Sequence, residues 1–422
     1  MANLAARIGA LAALTLSSLL VARVGGPAAV GTFVLLRVLP WLAGVLTSCG
    51  LFGAAPYFLA GDARSQPRYR PTLFAIAVVA GMAGAFLWVV VSPLMADLFF
   101  SGLSVWLVAA ASITVLTQLL ESTAKACSQG FDDLPGANRI IVFEELLFLP
   151  GFVVLHLFGV KGPAAVLGGL VLGDLSTLTT GWVRLARRGF FRDAGRASVL
   201  LARGILAFGF RGEVGTVVLL LNARLDFVLV GAIVGPAQLG IYAVASRFAE
   251  LLRLPPLAVN YVLYPDFARV DSSTAVVRAR SMIPRVGAVT AAAAVPLALI
   301  AMIAIPLLYG PEFRSAVAPT YVLLVGLSMG GVSGVITAYL FGRGRPGLSS
   351  LSQVAGLVVT VTLDLALIPT FGVMGAAVAS CLAYLTASGV LVVCFLWLSR
   401  TDRSPRGDDR VMVERAVTEV NG

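Results

Sequence analysis

Residues 26–33 read Gly26-Pro27-Ala28-Ala29-Val30-Gly31-Thr32-Phe33, and the pattern returns as Gly235-Pro236-Ala237-Gln238-Leu239-Gly240-Ile241-Tyr242, an offset of 209 residues (235 − 26). A second repeat, at an offset of 213 residues (371 − 158), pairs Phe158-Gly159-Val160-Lys161-Gly162 with Phe371-Gly372-Val373-Met374-Gly375. Gly-Pro pairs by themselves mark tight turns between helices. Turn chemistry does not explain two matches at nearly one offset, so the repeat predicts two halves of the same topology.

The composition demands more apolar burial than a soluble domain offers. The 422 residues are 59% hydrophobic and 12% charged, against about 45–50% and about 25% in soluble domains. Each membrane span takes roughly 20 apolar residues, so the chain accommodates about twelve spans. The composition therefore excludes a soluble enzyme, a nucleic-acid-binding domain and a disordered protein.

Hydropathy divides the chain into twelve predicted helices. Their approximate residues are 4–24, 31–59, 72–92, 103–127, 138–158, 163–185, 204–233, 238–264, 284–308, 317–341, 347–369 and 374–398. The predicted fold class is an all-α polytopic membrane protein, with about twelve transmembrane helices in two six-helix halves around a central cavity. The predicted divisions are an N-terminal half over 1–198, a C-terminal half over 199–398 and a cytoplasmic tail over 399–422.

Basic residues mark one side of the predicted helices. The chain has 31 Lys+Arg against 21 Asp+Glu, a net charge of +10. The even-numbered connections carry nearly all of the basic residues in loops, whereas the odd-numbered ones carry only Arg23, Lys161 and Arg314. The positive-inside rule then predicts that both termini are cytoplasmic. Orientation in the membrane explains the excess charge, so no nucleic-acid partner is expected.

Short motifs in the C-terminal half resemble a known transporter family. Residues 225–231 read Leu225-Asp226-Phe227-Val228-Leu229-Val230-Gly231 and are followed by Gly240-Ile241-Tyr242, Arg247-Phe248-Ala249-Glu250-Leu251-Leu252 and Tyr264-Pro265. This succession resembles the polysaccharide flippases of the multidrug/oligosaccharidyl-lipid/polysaccharide exporter superfamily. In that family an LD-x-x-L-L-G run precedes G-x-Y-x-x-A and a helix-closing proline. The N-terminal half resembles it at Gly31 to Phe33 and at Cys49-Gly50-Leu51.

The resemblance implies a flippase rather than an enzyme. Such a protein moves a polyprenyl phosphate- or diphosphate-linked oligosaccharide from the cytoplasmic to the outer leaflet, by alternating access, for surface polysaccharide synthesis. It implies a cavity lined mainly by helices 1, 2, 7 and 8, and a place in the bacterial inner (cytoplasmic) membrane. The expected partners are the lipid-linked oligosaccharide and membrane lipid, with a polymerase or glycosyltransferases of the same pathway.

Ionisable residues inside the predicted helices concentrate on helices 7 and 8, with Arg37 on helix 2 and Asp364 on helix 11. A charge embedded in a bilayer normally faces a cavity or a partner. The predicted substrate-binding residues are Arg37, Arg211, Asn222, Arg224 and Arg247. The predicted ion-coupling or structural partners are Glu213, Asp226, Glu250 and Asp364. Because the planar fork of arginine binds phosphate through two parallel hydrogen bonds, the arginines predict a cationic chamber for a phosphate-sugar head.

Helical spacing supports this grouping and leaves a structural alternative open. Arg211, Asn222 and Asp226 are separated by 11 and 4 residues, so they lie near one helix face. Arg247 and Glu250 stand at i and i+3 and can pair directly, in which case the pair only fixes helix packing.

Four further charged residues are given structural roles. Glu144 and Glu145 are expected to meet Arg139 or solvent, with a proton site as the alternative. Glu121 and Lys125 are predicted to form a local i,i+4 ion pair.

The sequence offers little for metal or cofactor chemistry. His156 is the single histidine, and the four cysteines have no metal-ligand spacing. A Walker-type nucleotide loop is absent from the sequence. We therefore predict no catalytic site, no metal and no cofactor.

Other transporters and one enzyme class are weighed against the flippase. An ion-coupled multidrug exporter of the superfamily uses an acidic residue in its first helix, and residues 4–24 contain no Asp or Glu. The lipid-linked peptidoglycan precursor flippase is closer in chemistry, but it has two C-terminal helices more than the twelve predicted here. A membrane glycosyltransferase or polymerase needs a substantial catalytic loop, and no predicted loop is long enough. A major-facilitator transporter carries a basic-acidic signature between helices 2 and 3 that residues 61–66 do not match.

Overall fold

The structure, a computed structural model, describes residues 2–60, 67–100, 102–192 and 194–401. Within these ranges the side chains at 2, 4, 211–216, 218, 219, 222, 223, 261 and 401 are also outside the described part. Residues 402–422, which make up most of the predicted tail 399–422, also lie outside the described part.

The described residues form helices joined by short connections, with no strand among them. The α-helices are α1 (Ala2–Ser48), α2 (Leu51–Ala60), α3 (Tyr69–Phe99), α4 (Val105–Ala110), α5 (Ser112–Gly130), α6 (Leu134–Leu146), α7 (Phe148–Leu157), α8 (Gly162–Arg187), α9 (Val199–Glu250), α10 (Leu254–Arg269), α11 (Ser272–Tyr309), α12 (Val317–Ser328), α13 (Gly330–Gly342) and α14 (Pro346–Thr401). Short 3-10 turns at Leu251–Arg253 and Pro311–Ala316 precede α10 and α12.

Within the described residues, nine helical stretches are long and apolar enough to cross a membrane. They are Ala5–Ser48, Tyr69–Phe99, Val105–Gly130, Leu134–Leu157, Gly162–Arg187, Arg224–Arg269, Ser272–Tyr309, Pro311–Gly342 and Pro346–Arg400. Three of the stretches contain a glycine with non-helical backbone angles, at Gly26, Gly235 and Gly372. Each such glycine divides its stretch in two, which is consistent with about twelve predicted helices.

The repeated glycines of the sequence have the same backbone conformation. Gly26 has φ 67° and its counterpart Gly235 has φ 85°; Gly159 has φ 84° and its counterpart Gly372 has φ 55°. Positive φ is readily available only to glycine, because other residues carry a Cβ that clashes there. The repeated motifs are therefore tight turns at equivalent positions, as Gly-Pro chemistry suggests, and they recur because the same turn is built twice.

Five residues after each of the first pair of glycines, two segments approach each other reciprocally. A Cβ on Gly31 would lie 1.7 Å from the carbonyl oxygen of Pro236, and a Cβ on Gly240 would lie 2.0 Å from the carbonyl oxygen of Pro27. No side chain fits at either distance. The residues of one repeat thus contact the residues of the other through matching positions, which is the pattern of a local two-fold relation.

The chain forms two compact units. Unit 1 comprises Met1–Ala249, Ala298–Leu323 and Thr360–Ser380; unit 2 comprises Glu250–Leu297, Leu324–Val359 and Cys381–Gly422. Unit 1 takes residues from both predicted sequence halves, so it is a different division of the chain, and the halves 1–198 and 199–398 stay a prediction. Each unit has an apolar core: one joins α2, α3, α5, α6 and α8, and the other joins α10, α11, α13 and α14.

Candidate functional site

Arg37 lies in the second segment of α1 and is held by an acidic residue of α6. Its Nη2 donates to Glu145 Oε1 at 2.5 Å, and the two side chains are 18% and 14% exposed. The other carboxylate oxygen of Glu145 is buried without a hydrogen-bond partner. One predicted phosphate ligand is therefore already engaged with a carboxylate in this conformation.

Arg247 lies in the second segment of α9 and has a different environment. Its guanidinium group sits 5.8 Å from the centre of the Phe33 ring and donates weakly to the carbonyl oxygen of Leu14 at 3.5 Å. No carboxylate of the described residues lies within ion-pairing distance of it. Its charge is thus held by an aromatic face and a carbonyl, which leaves the guanidinium fork available to an anion.

Three of the predicted arginines converge. Arg37 and Arg224 both lie within Coulomb range of Arg247, as does Glu145. Arg224 stands 5.3 Å from the centre of the Phe227 ring. Arg37 and Arg224 each repel the Arg247 guanidinium, and the Glu145 carboxylate offsets only part of that repulsion, so further negative charge beside Arg247 would be favourable.

Several predicted residues lie elsewhere or outside the described part. The side chains of Arg211, Glu213 and Asn222 are outside the described residues, although their backbone belongs to α9. Glu250 is the last residue of α9, is half-buried and belongs to unit 2, whereas Arg247 belongs to unit 1.

The two predicted carboxylates Asp226 and Asp364 come together inside unit 1. Asp226 accepts a hydrogen bond from the Tyr242 hydroxyl at 2.7 Å, and that hydroxyl also lies 2.9 Å from the Ser380 hydroxyl. Asp364 is fully buried, and neither of its oxygens has a hydrogen-bond partner. It lies within Coulomb range of Asp226. A cation or a proton placed here would relieve the repulsion between the two carboxylates.

Sequence reasoning missed a polar network among α5, α6 and α8. Lys125 Nζ donates to Glu144 Oε2 at 2.8 Å, and Thr117 Oγ1 donates to Asp174 Oδ2 at 3.0 Å. Glu121 is 2% exposed, and both of its oxygens lack a hydrogen-bond partner. The available signal was Asp174 itself, because an acidic residue within an apolar helix marks a functional or paired position by default.

Two structural expectations for these charges are wrong. Glu144 and Glu145 pair with Lys125 and Arg37, not with Arg139 or solvent. Lys125 pairs across to α6 rather than with Glu121 on its own helix. In both cases the observed partner lies on a neighbouring helix and faces the ammonium or guanidinium group directly. The i,i+4 pair expected for Glu121 and Lys125 would gain only a few tenths of a kcal/mol.

Metal-ligating residues are dispersed. No group of three His, Cys, Asp or Glu residues that could hold a metal ion occurs in the part of the chain that the structure describes. His156 stacks on Phe152 with ring centres 6.2 Å apart, and the four cysteines are free.

Comparison with known sequences places the chain in a family. The profile of a family described as "Polysaccharide biosynthesis protein" matches residues 20–318, well over half of the chain. The chain belongs to the polysaccharide biosynthesis protein family. This family membership confirms the resemblance read from the motifs at residues 225–265.

Two curated relatives of this family member share part of its sequence. The "Probable flippase AglR" of Haloferax volcanii is 28% identical over 180 residues, covering 40% of this chain and 37% of the relative. The "Lipopolysaccharide biosynthesis protein WzxC" of Escherichia coli K12 is 26% identical over 221 residues, covering 50% of this chain and 44% of the relative. The chain thus spans less than half the length of the curated relatives it matches.

Solved structures share the fold of this family member. An inward-facing multidrug resistance MATE family transporter of the MOP superfamily has a TM-score of 0.74 at 14% identity, covering 96% of each chain. The lipid II flippase MurJ, in an inward closed conformation, has a TM-score of 0.69 at 14% identity, covering 95% of this chain and 89% of that one. At this identity the likeness shows the fold alone, and it confirms an all-α multi-pass membrane protein.

Proposed function

We propose that the protein is a flippase for a polyprenyl phosphate- or diphosphate-linked oligosaccharide. It carries the head group from the cytoplasmic to the outer leaflet for surface polysaccharide synthesis, by alternating access and without catalysing a covalent step. Membership in the polysaccharide biosynthesis protein family supports this function, as do the names of its two curated relatives, a probable flippase and a lipopolysaccharide biosynthesis protein. We place it in the bacterial inner membrane with both termini cytoplasmic, because the basic residues lie in the even-numbered connections.

One observation carries the proposal: the convergence of Arg37, Arg224 and Arg247. Arg247 has no carboxylate partner among the described residues, so a phosphate head supplies the missing counter-charge. Arg37 exchanges Glu145 for the phosphate when the head group arrives. The site favours an anion over a cationic drug, which argues for a flippase rather than a multidrug exporter.

Contacts at one end of unit 1 support a closed outer side. Arg23 donates through Nε to the carbonyl oxygen of Leu308 at 2.6 Å and through Nη2 to that of Leu307. The hydroxyls of Ser18 and Tyr309 lie 3.0 Å apart. These bonds join the first segment of α1 to the end of α11, where the odd-numbered connections lie. Breaking them is the step that would open the outer side and release the head group.

The Asp226–Asp364 group is the proposed ion-coupling site. A cation or proton that binds between the two carboxylates neutralises the unpartnered Asp364 and changes the preferred packing of the helices around it. Tyr242 and Ser380 then contribute hydroxyl oxygens to the same site. The coupling ion would drive the return of the empty carrier.

The test is complementation of a strain that lacks the chromosomal gene, with surface glycan as the readout. Arg247→Gln should abolish surface glycan at a normal protein level. Arg285→Gln is the matched control, because Arg285 is an exposed arginine of unit 2 whereas the three arginines belong to unit 1, and it should restore glycan fully. Normal glycan export by the Arg247→Gln variant would refute the proposed role of the arginine group.

A further inference from the structure

A cleft of about 500 Å³ lies between α6 and α8, apart from the converging arginines. It opens where the even-numbered connections carry their basic residues. Four arginines line it: Arg139, Arg184, Arg187 and Arg188. Its remaining wall is largely apolar, so the cleft combines a cationic rim with a hydrophobic wall.

One buried carboxylate organises half of this rim. Asp133 is fully buried and accepts hydrogen bonds from Arg184 Nε at 2.7 Å and Nη2 at 2.8 Å. Arg188 Nη1 approaches the same carboxylate at 2.7 Å. Arg184 and Arg188 remain 30% and 47% exposed, so each keeps donors that face the cleft. Asp133 therefore fixes two guanidinium groups in place while neutralising only one charge.

The other two arginines bring excess positive charge. Arg139 and Arg187 are exposed and have no ion pair with any residue in the described ranges. Four guanidinium groups thus face one carboxylate. Fixed guanidinium forks at one rim are the arrangement that binds phosphate through parallel hydrogen bonds.

The apolar wall of the cleft indicates that the ligand also has a hydrophobic part. Ile140 and Phe143 of α6 and Val183 of α8 line the cleft, and Val183 is 42% exposed. In a bilayer such a surface contacts acyl chains. A ligand that satisfies both parts has an anionic phosphate head and a hydrocarbon tail.

The arginines of the cleft rim also border a neighbouring hollow. A second hollow of about 620 Å³ is lined by Arg70 and Arg192 together with Arg187 and Arg188. Arg70 lies over the Phe131 ring at 5.0 Å, which holds its guanidinium group in position. Arg187 and Arg188 thus stand between two hollows, and a lipid with two phosphates can occupy both.

We propose that the α6–α8 cleft is a binding site for an anionic phospholipid of the leaflet that faces the basic connections. The phosphate lies on Arg139, Arg184, Arg187 and Arg188, and an acyl chain lies along Ile140, Phe143 and Val183. The site is distinct from the converging arginines and does not depend on the identity of the cargo. Its occupancy ties α6 to α8 at the membrane surface.

The test measures lipid retained by the full-length purified protein, by native mass spectrometry in detergent. Cardiolipin, phosphatidylglycerol and phosphatidylcholine are titrated against the wild type and the double variant Arg139→Gln/Arg187→Gln. The double variant Arg285→Gln/Arg345→Gln is the matched control, because both residues are exposed arginines outside the cleft. A third variant, Asp133→Asn, keeps a residue that caps α6 while removing the neutralising charge.

The expected result is that the cleft variant binds the anionic lipids about tenfold more weakly or worse, since each lost arginine removes charge-assisted hydrogen bonds. The control variant should bind them as the wild type does, and Asp133→Asn should bind them more weakly, because Arg184 and Arg188 lose the carboxylate that fixes them. Equal losses in the two double variants would overturn the proposal, because general attraction to a basic surface is lost equally from both. Retention of phosphatidylcholine as strong as that of cardiolipin would also overturn it.

A competition experiment with polyprenyl diphosphate distinguishes a phospholipid from the lipid-linked cargo as the ligand of the cleft. If the phospholipid occupies the cleft, excess polyprenyl diphosphate should leave the cleft-dependent cardiolipin adduct in place. Displacement of that adduct by polyprenyl diphosphate, in the wild type but not in the cleft variant, would assign the cleft to the cargo and refute the phospholipid.

Discussion

The guanidinium group of Arg37 is held 2.5 Å from the carboxylate of Glu145, a residue 108 positions further along the chain. The pair joins the second segment of α1 to α6. It neutralises one of the three arginines that lie near one another, and it leaves Arg247 without a carboxylate. Glu145 thereby holds the place that we propose the phosphate of the cargo takes during transport.

Glu145→Gln should destabilise the protein and strengthen cargo binding together. Removing one partner of a buried ion pair costs about 3–5 kcal/mol, and roughly 1–3 kcal/mol is expected here because the pair is partly exposed and Gln keeps an acceptor. Arg37 then lacks a competitor for phosphate, so polyprenyl diphosphate should bind more tightly while translocation slows. Melting temperature and lipid titration check this, and weaker lipid binding at unchanged melting temperature would contradict it.

Asp364→Asn should raise stability and remove ion dependence. Asp364 is fully buried, its oxygens have no hydrogen-bond partner, and Asp226 lies within Coulomb range. An uncompensated buried carboxylate is costly, so a neutral amide of the same shape relieves repulsion. The melting temperature should rise, and transport in proteoliposomes should no longer respond to a proton or sodium gradient. A lower melting temperature together with intact gradient dependence would exclude Asp364 from coupling.

Gly240→Ala should destabilise the contact between the repeats. The added Cβ would lie 2.0 Å from the carbonyl oxygen of Pro27, so the backbone must shift. Overpacking of this kind costs about 1–3 kcal/mol. Gly53→Ala is the control, because Gly53 lies in α2 with open space around it, and alanine there should stabilise by roughly 0.5–1 kcal/mol. Equal melting temperatures for the two variants would show that the reciprocal contact is not tight.

The region around Asp133 should lose stability in acid. The Arg184 guanidinium lowers the pKa of the Asp133 carboxyl below its ordinary value of 3.8. Because the folded-state pKa is the lower one, this contribution to stability is present above pH 3.8 and is lost as the pH falls through the folded-state pKa. The melting temperature should therefore decline below about pH 4, and Asp133→Asn should flatten that decline. An unchanged acid profile in Asp133→Asn would show that other groups dominate.

Much of the fold follows from the sequence because its signals are local. Apolar runs predict the helices, and the Gly-Pro turns predict where they are divided, since Gly26 and Gly235 hold the positive φ that only glycine adopts readily. Arg37 and Arg247 could be named as embedded charges from hydropathy alone. Local pattern is sufficient for these features.

The partners of the charges could not be predicted in the same way. Arg37 meets Glu145 and Lys125 meets Glu144 through helix packing, and spacing along one helix carries no information about the neighbouring helix. The i,i+4 rule favoured Glu121 for Lys125, yet the structure leaves Glu121 buried without a hydrogen-bond partner. Tertiary contacts decide which of two nearby carboxylates a cation takes.

The central claim is that Arg247 binds the phosphate of a lipid-linked cargo. Affinities of the purified protein for polyprenyl diphosphate and for the phosphate-free polyprenol test it most directly, in the wild type and in Arg247→Lys and Arg247→Gln. The wild type should prefer the diphosphate; Arg247→Gln should reduce that preference about tenfold or more, and Arg247→Lys should lie between, since an ammonium keeps the charge without the fork. The same preference for diphosphate in all three proteins would contradict the account.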